Sequence, residues 1–184
     1  MRYFLPFSFI LALPLSSSIA AESFVLSSQD INQGKMMSKK HEFKGFGCSG
    51  DNLSPQLEWK NPPKGTKSFA LTAYDPDAPT GSGWWHWQVI NIPADTSQLA
   101  TGAGSTNSDL LPASALQIES DYGTASYGGA CPPEGHGVHR YRFTIHALSV
   151  EKIDLPQTAS GALTGYMINA NSIASSTVEA LYKR

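Results

Sequence analysis

Residues 68–92 read SFALTAYDPDAPTGSGWWHWQVINI, two strand-like runs separated by a turn rich in proline and glycine. In the first run, residues 68–74, every second residue is apolar, which is the period of a half-buried strand. The second run, residues 85–92, is rich in aromatic and β-branched residues, which favour strands. If the two runs pair as antiparallel neighbours, Asp75 at the end of one and His86 at the start of the next lie at one edge of a sheet.

Alternation of this kind recurs along the chain and predicts a mostly β fold. The longest alternating run is HRYRFTIHAL, residues 139–148, which begins with a histidine and carries Tyr141 on the same face. Shorter strand-like runs occupy residues 24–26, 56–59 and 177–182. Residues 94–131 contain several glycines and no clear period, so an irregular loop region is expected there.

One late helix is predicted near residues 160–174. Ser160 is an acceptable N-cap, and apolar residues that include Leu163 and Tyr166 follow at helical spacing. No repeat or linker divides residues 21–184, so they are expected to form a single domain.

Composition narrows the class of protein. The chain has 184 residues, of which 41% are hydrophobic, and its 13 basic and 15 acidic groups give a formal charge of −2. This charge excludes a strongly basic nucleic-acid binder, because it provides no phosphate-neutralising surface. The hydrophobic fraction is large enough to build a core, which argues against intrinsic disorder.

The first twenty residues have the layout of a secretory signal peptide. Arg2 precedes an apolar run at residues 3–15, and the small residues Ser18 and Ala20 precede a potential cleavage point. The run is too short to span a bilayer and contains two prolines, so a retained membrane anchor is disfavoured. We therefore expect a leader at residues 1–20 and a mature protein that is periplasmic or secreted, with no transmembrane anchor.

Export changes how the two cysteines are interpreted. Cys48 and Cys131 both lie in loop-forming contexts, and an even count in an oxidising compartment favours one disulfide. Two unrelated free thiols are the alternative. A metal site is disfavoured because neither cysteine has a second ligand at the usual spacing.

Familiar catalytic motifs are absent from the sequence. It contains no Gly-x-Ser-x-Gly elbow, no Walker phosphate loop and no His-Glu-x-x-His. No nucleophile stands beside a base in the informative windows, so binding is favoured over catalysis and no cofactor is expected.

The remaining chemistry is concentrated in two windows, residues 75–87 and 131–141. A pocket that combines one carboxylate, two imidazoles and one phenol would suit a small polar ligand. Purely structural roles for these residues remain open: Asp-Pro pairs form turns, tryptophans fill cores, and single histidines are commonly packed or solvated. His136, between two glycines, is expected to be exposed.

Both windows match a known family. The block YDPDAPTGSGWWHW at residues 74–87, followed by PPEGHGVHRY at residues 132–141, resembles the phosphatidylethanolamine-binding protein family. The segment SGALTGYMINAN at residues 160–171 and the Asp-Tyr-Gly at residues 121–123 are similar to its bacterial Raf-kinase-inhibitor-like (YbhB/YbcL) branch. The leader and the paired cysteines favour the exported members of that branch.

The resemblance implies two packed antiparallel sheets with few helices, and a small pocket for a phosphoryl anion such as a phospholipid head group. Carried over position by position, it implies an anion site formed by Asp75, His86, Gly129, Pro132, His139 and Tyr141. Supporting positions are Asp77, Pro79, Trp85 and Arg140. Cys131 stands where animal members have glycine, so the shape of the rim is expected to differ.

A carboxylate inside an anion pocket needs a compensating group. Our hypothesis is that Asp75 accepts a ring N–H and orients a histidine, rather than contacting the phosphate. The other ring nitrogen of that histidine would then face the ligand.

Three function classes follow. The first is an exported binding or regulatory protein for a phosphoryl anion. The second is an inhibitor of a protein partner, such as a serine protease or a kinase, which an exposed apolar patch around Trp84, Trp85 and Trp87 would favour. The third is a metal-dependent enzyme that uses Asp77 together with the pocket carboxylate and histidines. Monomer and homodimer are both compatible with the sequence.

The first prediction concerns processing. Exported protein should begin at Ala21 or Glu22, because Ser18 and Ala20 occupy the small-residue positions of the cleavage site. Amino-terminal sequencing of the exported protein checks this, and material that still begins at Met1 would contradict it.

Overall fold

The computed structural model describes residue 1, residues 22–106 and residues 108–184. Apart from Met1, the predicted leader lies outside the described residues, and its removal stays a prediction. In the described part of the chain, no helix is long and apolar enough to cross a bilayer. The strands, in chain order, are β1 (Val25–Ser27), β2 (Lys44–Gly45), β3 (Cys48–Ser49), β4 (Leu57–Lys60), β5 (Ser68–Asp75), β6 (Trp84–Pro93), β7 (Gln98–Leu99), β8 (Leu116–Ile118), β9 (His139–Leu148) and β10 (Ser172–Tyr182). The helices are a short 3-10 turn (Lys39–His41) and α1 (Gly161–Asn171).

Two antiparallel sheets form the body of the molecule. The larger has the strand order β10-β9-β5-β6-β8, and the smaller has the order β1-β4-β7. Strands β2 and β3 form a separate hairpin. This architecture agrees with the predicted mostly β class of two packed sheets with few helices.

The main core lies between the two sheets. Trp59 of β4 meets Phe69 of β5 edge to face, with ring centroids 5.4 Å apart, and both are almost completely buried. Leu71 and Ala73, the next two apolar positions of β5, are buried in the same cluster. The alternation in residues 68–74 therefore reports the face of β5 that packs on the smaller sheet.

The strongly alternating runs were predicted most accurately. β9 has the predicted bounds, whereas β5 extends its predicted run by one residue and β6 extends its run by two. The expectation for residues 94–131 was wrong at β7 and β8, which pair with β4 and β6. These strands are only two and three residues long, too short to carry a periodic signal.

The helix begins where predicted and ends early. The side chain of Ser160 accepts a hydrogen bond from the backbone N–H of Leu163 at 3.2 Å and caps α1. The predicted end at residue 174 was wrong, because β10 begins at Ser172 and pairs with β9. β-branched residues in that segment suit a strand once a partner strand is available.

The apolar stripe noted in the sequence is not the buried face of the helix. Leu163 and Tyr166 are exposed, whereas the buried positions include Gly161 and Ile168. The helix approaches the sheet through small residues, since a Cβ placed on Gly161 would lie 2.3 Å from Cδ1 of Trp85. Close approach to an indole, rather than an apolar stripe, sets the orientation of α1.

The predicted disulfide is confirmed. Cys48 and Cys131 are bonded, with Cα atoms 6.0 Å apart and a sequence separation of 83. The bond joins the β2–β3 hairpin to the loop that precedes β9. Both segments border the pocket described below.

The contact between α1 and Trp85 can be tested by a substitution for which two physical effects predict opposite changes in the free energy of unfolding. Gly161→Ala should lower the free energy of unfolding by about 1–3 kcal/mol through overpacking, whereas helix propensity alone predicts a gain of up to about 1 kcal/mol. Urea denaturation decides between them. Gly81→Ala is the control, because a Cβ at Gly81 meets no atom within 4 Å.

Candidate functional site

A pocket of about 200 Å³ lies at the edge of the larger sheet, where β5 ends and β6 and β9 begin. The antiparallel strand order brings these three strand ends together. The sequence-predicted residues that line it are Asp75, Pro79, His86, Pro132, His139 and Tyr141. Two separated sequence windows are thus brought to one site.

An irregularity in β6 places His86 in this pocket. Ala73 pairs with Trp87 and Tyr74 pairs with Trp85, so His86 is the extra residue of a bulge. Side chains on a regular strand alternate, and an inserted residue shifts every side chain beyond it to the other face. His86 can therefore share the pocket side of the sheet with Trp87, which is buried in the main core.

The same bulge assigns the tryptophans. Trp84 lines the pocket, whereas Trp85 lies on the outer face of the sheet, 4.5 Å from the ring centroid of Tyr74 and against α1. The predicted supporting position Trp85 is thus placed away from the pocket. The three indoles do not form the exposed apolar patch that would favour an inhibitor of a protein partner, because Trp87 is completely buried.

The pocket carboxylate is paired with an imidazole. Oδ2 of Asp75 lies 2.7 Å from Nδ1 of His139, and both side chains are less than 5% exposed. The other oxygen of Asp75 accepts the backbone N–H of Asp77 at 2.8 Å. Both oxygens therefore have a donor, and His139 is the histidine that Asp75 orients.

His86 has a different environment. Its Nδ1 lies 2.7 Å from the carbonyl oxygen of Gly128, and a carbonyl only accepts, so Nδ1 carries a proton. Burial lowers the pKa of His86 below its usual value. In the neutral ring Nε2 is then a lone pair, and this buried atom has no hydrogen-bond partner among the described residues.

Two further buried polar atoms on pocket-lining side chains lack a partner within the described chain: the hydroxyl of Tyr141 and the indole nitrogen of Trp84. Burial, reinforced by the charge of Asp75, raises the pKa of Tyr141, so its hydroxyl keeps its proton. An indole nitrogen only donates. The pocket therefore has two buried donors with no acceptor.

Asp77 holds the loop after β5 against the start of β9. Its carboxylate accepts from the backbone N–H, Nε and Nη2 of Arg140 at 2.9, 2.9 and 2.6 Å. The Arg140 guanidinium lowers the pKa of Asp77 to about 2. This two-pronged ion pair is a supporting contact, and it uses both oxygens of Asp77 within the protein.

Gly129 supports a wall that sequence reasoning missed. Its carbonyl accepts the hydroxyl of Tyr122 at 2.9 Å, and Tyr122 lines the pocket whereas Gly129 itself does not. A Cβ on Gly129 would lie 2.3 Å from the carbonyl oxygen of His41, so glycine is required there. The Asp-Tyr-Gly match at residues 121–123 was the available signal for Tyr122.

The rim contains a second missed aromatic residue. Phe46, at the tip of the β2–β3 hairpin, lines the pocket and is 73% exposed. The disulfide attaches the hairpin to the adjacent part of the rim, at Cys131. No periodic or motif signal in the sequence marks Phe46.

A family model described as phosphatidylethanolamine-binding protein matches residues 27–183. The chain belongs to the phosphatidylethanolamine-binding protein family. Two curated relatives are the UPF0098 proteins YbcL and YbhB of Escherichia coli (strain K12), each 49% identical. The matches cover 92% of this chain and 92% of YbcL, and 85% of this chain and 98% of YbhB.

Solved structures agree with this assignment. The crystal structure of E. coli YbcL matches with a TM-score of 0.86 and 50% identity, over 88% of this chain and 98% of that chain. A homologue from Chlamydia trachomatis matches with a TM-score of 0.72 and 28% identity, over 88% of this chain and 98% of that chain.

A further sequence relative, a protein named putative lipoprotein LppC from Mycobacterium tuberculosis, is 40% identical over 63% of this chain and 53% of its own length.

The disulfide generates a prediction about the rim. Replacing both Cys48 and Cys131 by serine should lower the free energy of unfolding by about 4 kcal/mol, because a long loop is released in the unfolded chain. Quenching of tryptophan fluorescence by an added quencher should also increase, because loosening of the hairpin makes Trp84 in the pocket more accessible. The exposed neighbour Ser49 supplies the control, Ser49→Ala; equal stability of the double variant and the control would contradict this interpretation.

Proposed function

We propose that this family member is an extracytoplasmic binding protein that holds a phosphoryl-type anion, such as a phospholipid head group, in the pocket. The observation that carries the proposal is the group of unpartnered buried polar atoms on Trp84, His86 and Tyr141. Each such atom costs about 1–3 kcal/mol when it is left unsatisfied. A ligand that supplies several oxygens would recover this cost.

The type of unpartnered atom favours an anion. Trp84 and Tyr141 offer donors, and His86 becomes a donor at Nε2 once its ring takes up a proton. A phosphoryl group presents several acceptor oxygens around one centre, and charge-assisted hydrogen bonds to such oxygens are the stronger kind. Three donors around one small cavity therefore suit this ligand class.

The carboxylate at the site does not oppose this assignment. Both oxygens of Asp75 accept hydrogen bonds inside the protein, from His139 and from the backbone of Asp77. An accompanying imidazolium would offset the carboxylate charge. The ligand can then contact the donors without approaching an uncompensated carboxylate.

The chemistry of the lining favours binding over catalysis. The hydroxyl of Thr80 donates to the carbonyl of Gly83, and Cys131 is in the disulfide. Among the described residues that line the pocket, no free serine, threonine or cysteine nucleophile therefore stands beside a base. Activation of a nucleophile is not supported by this geometry.

Three observations support a location outside the cytoplasm. The sequence begins with a stretch typical of a signal peptide, Cys48 and Cys131 form a disulfide, and a relative is named a putative lipoprotein. Disulfides persist in oxidising compartments. We expect the ligand to be encountered there.

Substitution at the unpartnered atoms tests the proposal. His86→Ala should weaken the binding of orthophosphate and of phosphoethanolamine by about ten- to a hundredfold, since a charge-assisted hydrogen bond is lost. His139→Ala should act in the same direction by leaving Asp75 uncompensated. Isothermal titration calorimetry measures both, with His146→Gln on the outer face of the sheet as the matched control.

Tyr141→Phe separates binding from folding. It should weaken anion binding by about tenfold while leaving the free energy of unfolding equal or higher, because an unsatisfied buried hydroxyl is removed. Tyr166→Phe on the exposed side of α1 is the control. Unchanged anion affinity in both His86→Ala and Tyr141→Phe would refute the proposed site.

A further inference from the structure

His139 has no free ring nitrogen. Nδ1 faces Asp75 at 2.7 Å, and Nε2 lies 2.7 Å from Nδ1 of His136. His136 is exposed, whereas His139 is 1% exposed. The sequence-based expectation that the second nitrogen of the Asp75-bound histidine faces the ligand is therefore not what the structure shows.

The three side chains form a hydrogen-bonded chain from solvent to the pocket. Because a carboxylate accepts, Nδ1 of His139 carries a proton. If His139 is neutral, its Nε2 accepts from Nδ1–H of His136; if His139 is protonated, its Nε2–H donates to a lone pair on Nδ1 of His136. The chain can thus hold an additional proton without leaving a buried N–H unsatisfied.

We propose that His136 is a positioning residue of the anion pocket, the outer member of a His136–His139–Asp75 chain that carries the proton which offsets the carboxylate when an anion binds. The inference rests on the proposed function and assigns a role to a residue that does not line the pocket. Its consequence is that the anion affinity responds to a side chain on the surface.

The loop before β9 is shaped to deliver this imidazole. Gly135 and Gly137 flank it with φ of 74° and 100°, conformations that favour glycine. The backbone N–H of His136 donates to the carbonyl of Pro133 at 3.1 Å. The resulting turn brings the side chain back to the histidine three residues further along the chain.

Other titratable groups around the chain keep one charge state near neutral pH. They are Asp77 and Arg140 in their ion pair, and Tyr122 and Tyr141 on the pocket wall. Burial raises the pKa of both tyrosines, so they stay neutral, and Asp77 and Arg140 stay charged. Proton uptake between pH 5 and 8 therefore falls on imidazoles.

His86 is one of those imidazoles, so the pH dependence of the wild type alone does not isolate the chain. A comparison of variants at His136 does, because His86 is unchanged in each of them. Dimethyl phosphate is a suitable probe, since this diester keeps a single negative charge across the range.

The experiment is calorimetric titration of dimethyl phosphate between pH 5.5 and 8. Wild-type affinity should fall as the pH rises. In His136→Ala, binding at pH 6.5 should be about three- to tenfold weaker, which corresponds to the loss of one hydrogen bond. The decrease of affinity with rising pH should also occur at a lower pH than in the wild type. His136→Asn, whose amide oxygen can accept from Nε2–H, should recover part of this loss, and Val138→Ala, an exposed residue of the same loop, should resemble the wild type.

Nitrogen NMR of protein labelled at histidine gives an independent readout. The Nε2 resonance of His139 should move in His136→Ala and stay in Val138→Ala. Equal affinity and pH profile in His136→Ala would overturn the proposal, as would tighter binding, which would mean that His136 competes with the anion. If the wild type binds no anion, the proposed function fails, and the nitrogen spectrum alone tests the His136–His139–Asp75 hydrogen-bonded chain. A shifted Nε2 resonance in His136→Ala supports that chain, and an unshifted resonance overturns it.

Discussion

Burial of the Asp75 carboxylate is the constraint on which the site depends. A carboxylate that is only 3% exposed is strongly unfavourable unless both oxygens are satisfied. His139 satisfies one and the backbone of Asp77 the other, which fixes the end of β5, the turn after it and the start of β9 relative to one another. The Asp77–Arg140 ion pair joins the same two segments a second time. This junction between the end of β5 and the start of β9 therefore holds the hydrogen-bond donors of the pocket in place.

Strand order explains why the sequence already predicted this junction. The alternation in residues 68–74 and 139–148 is strong, and both segments became central strands of one antiparallel sheet. In such a sheet the end of one strand lies beside the start of its neighbours. Asp75, His86 and His139 could therefore be assigned to one edge from periodicity and the family motifs.

What the sequence did not predict follows from interactions that local periodicity does not encode. One extra residue in β6 reverses the alternation, so Trp84 rather than Trp85 lines the pocket. The orientation of α1 is set by Gly161 against an indole that is distant in sequence. Phe46 reaches the site on the disulfide-linked hairpin, and His136 reaches it through a glycine-flanked turn. No periodic pattern in the sequence marks either contact.

The role of Asp75 is tested most directly by the anion affinity of Asp75→Asn, measured by calorimetry with orthophosphate at pH 6. We expect binding about tenfold weaker than in the wild type, although a negative charge has been removed. The reason is that an asparagine side chain offers one acceptor oxygen to two donors, so His139 or the loop backbone loses its partner. Tighter binding, which simple repulsion between the carboxylate and the anion predicts, would contradict this role of Asp75.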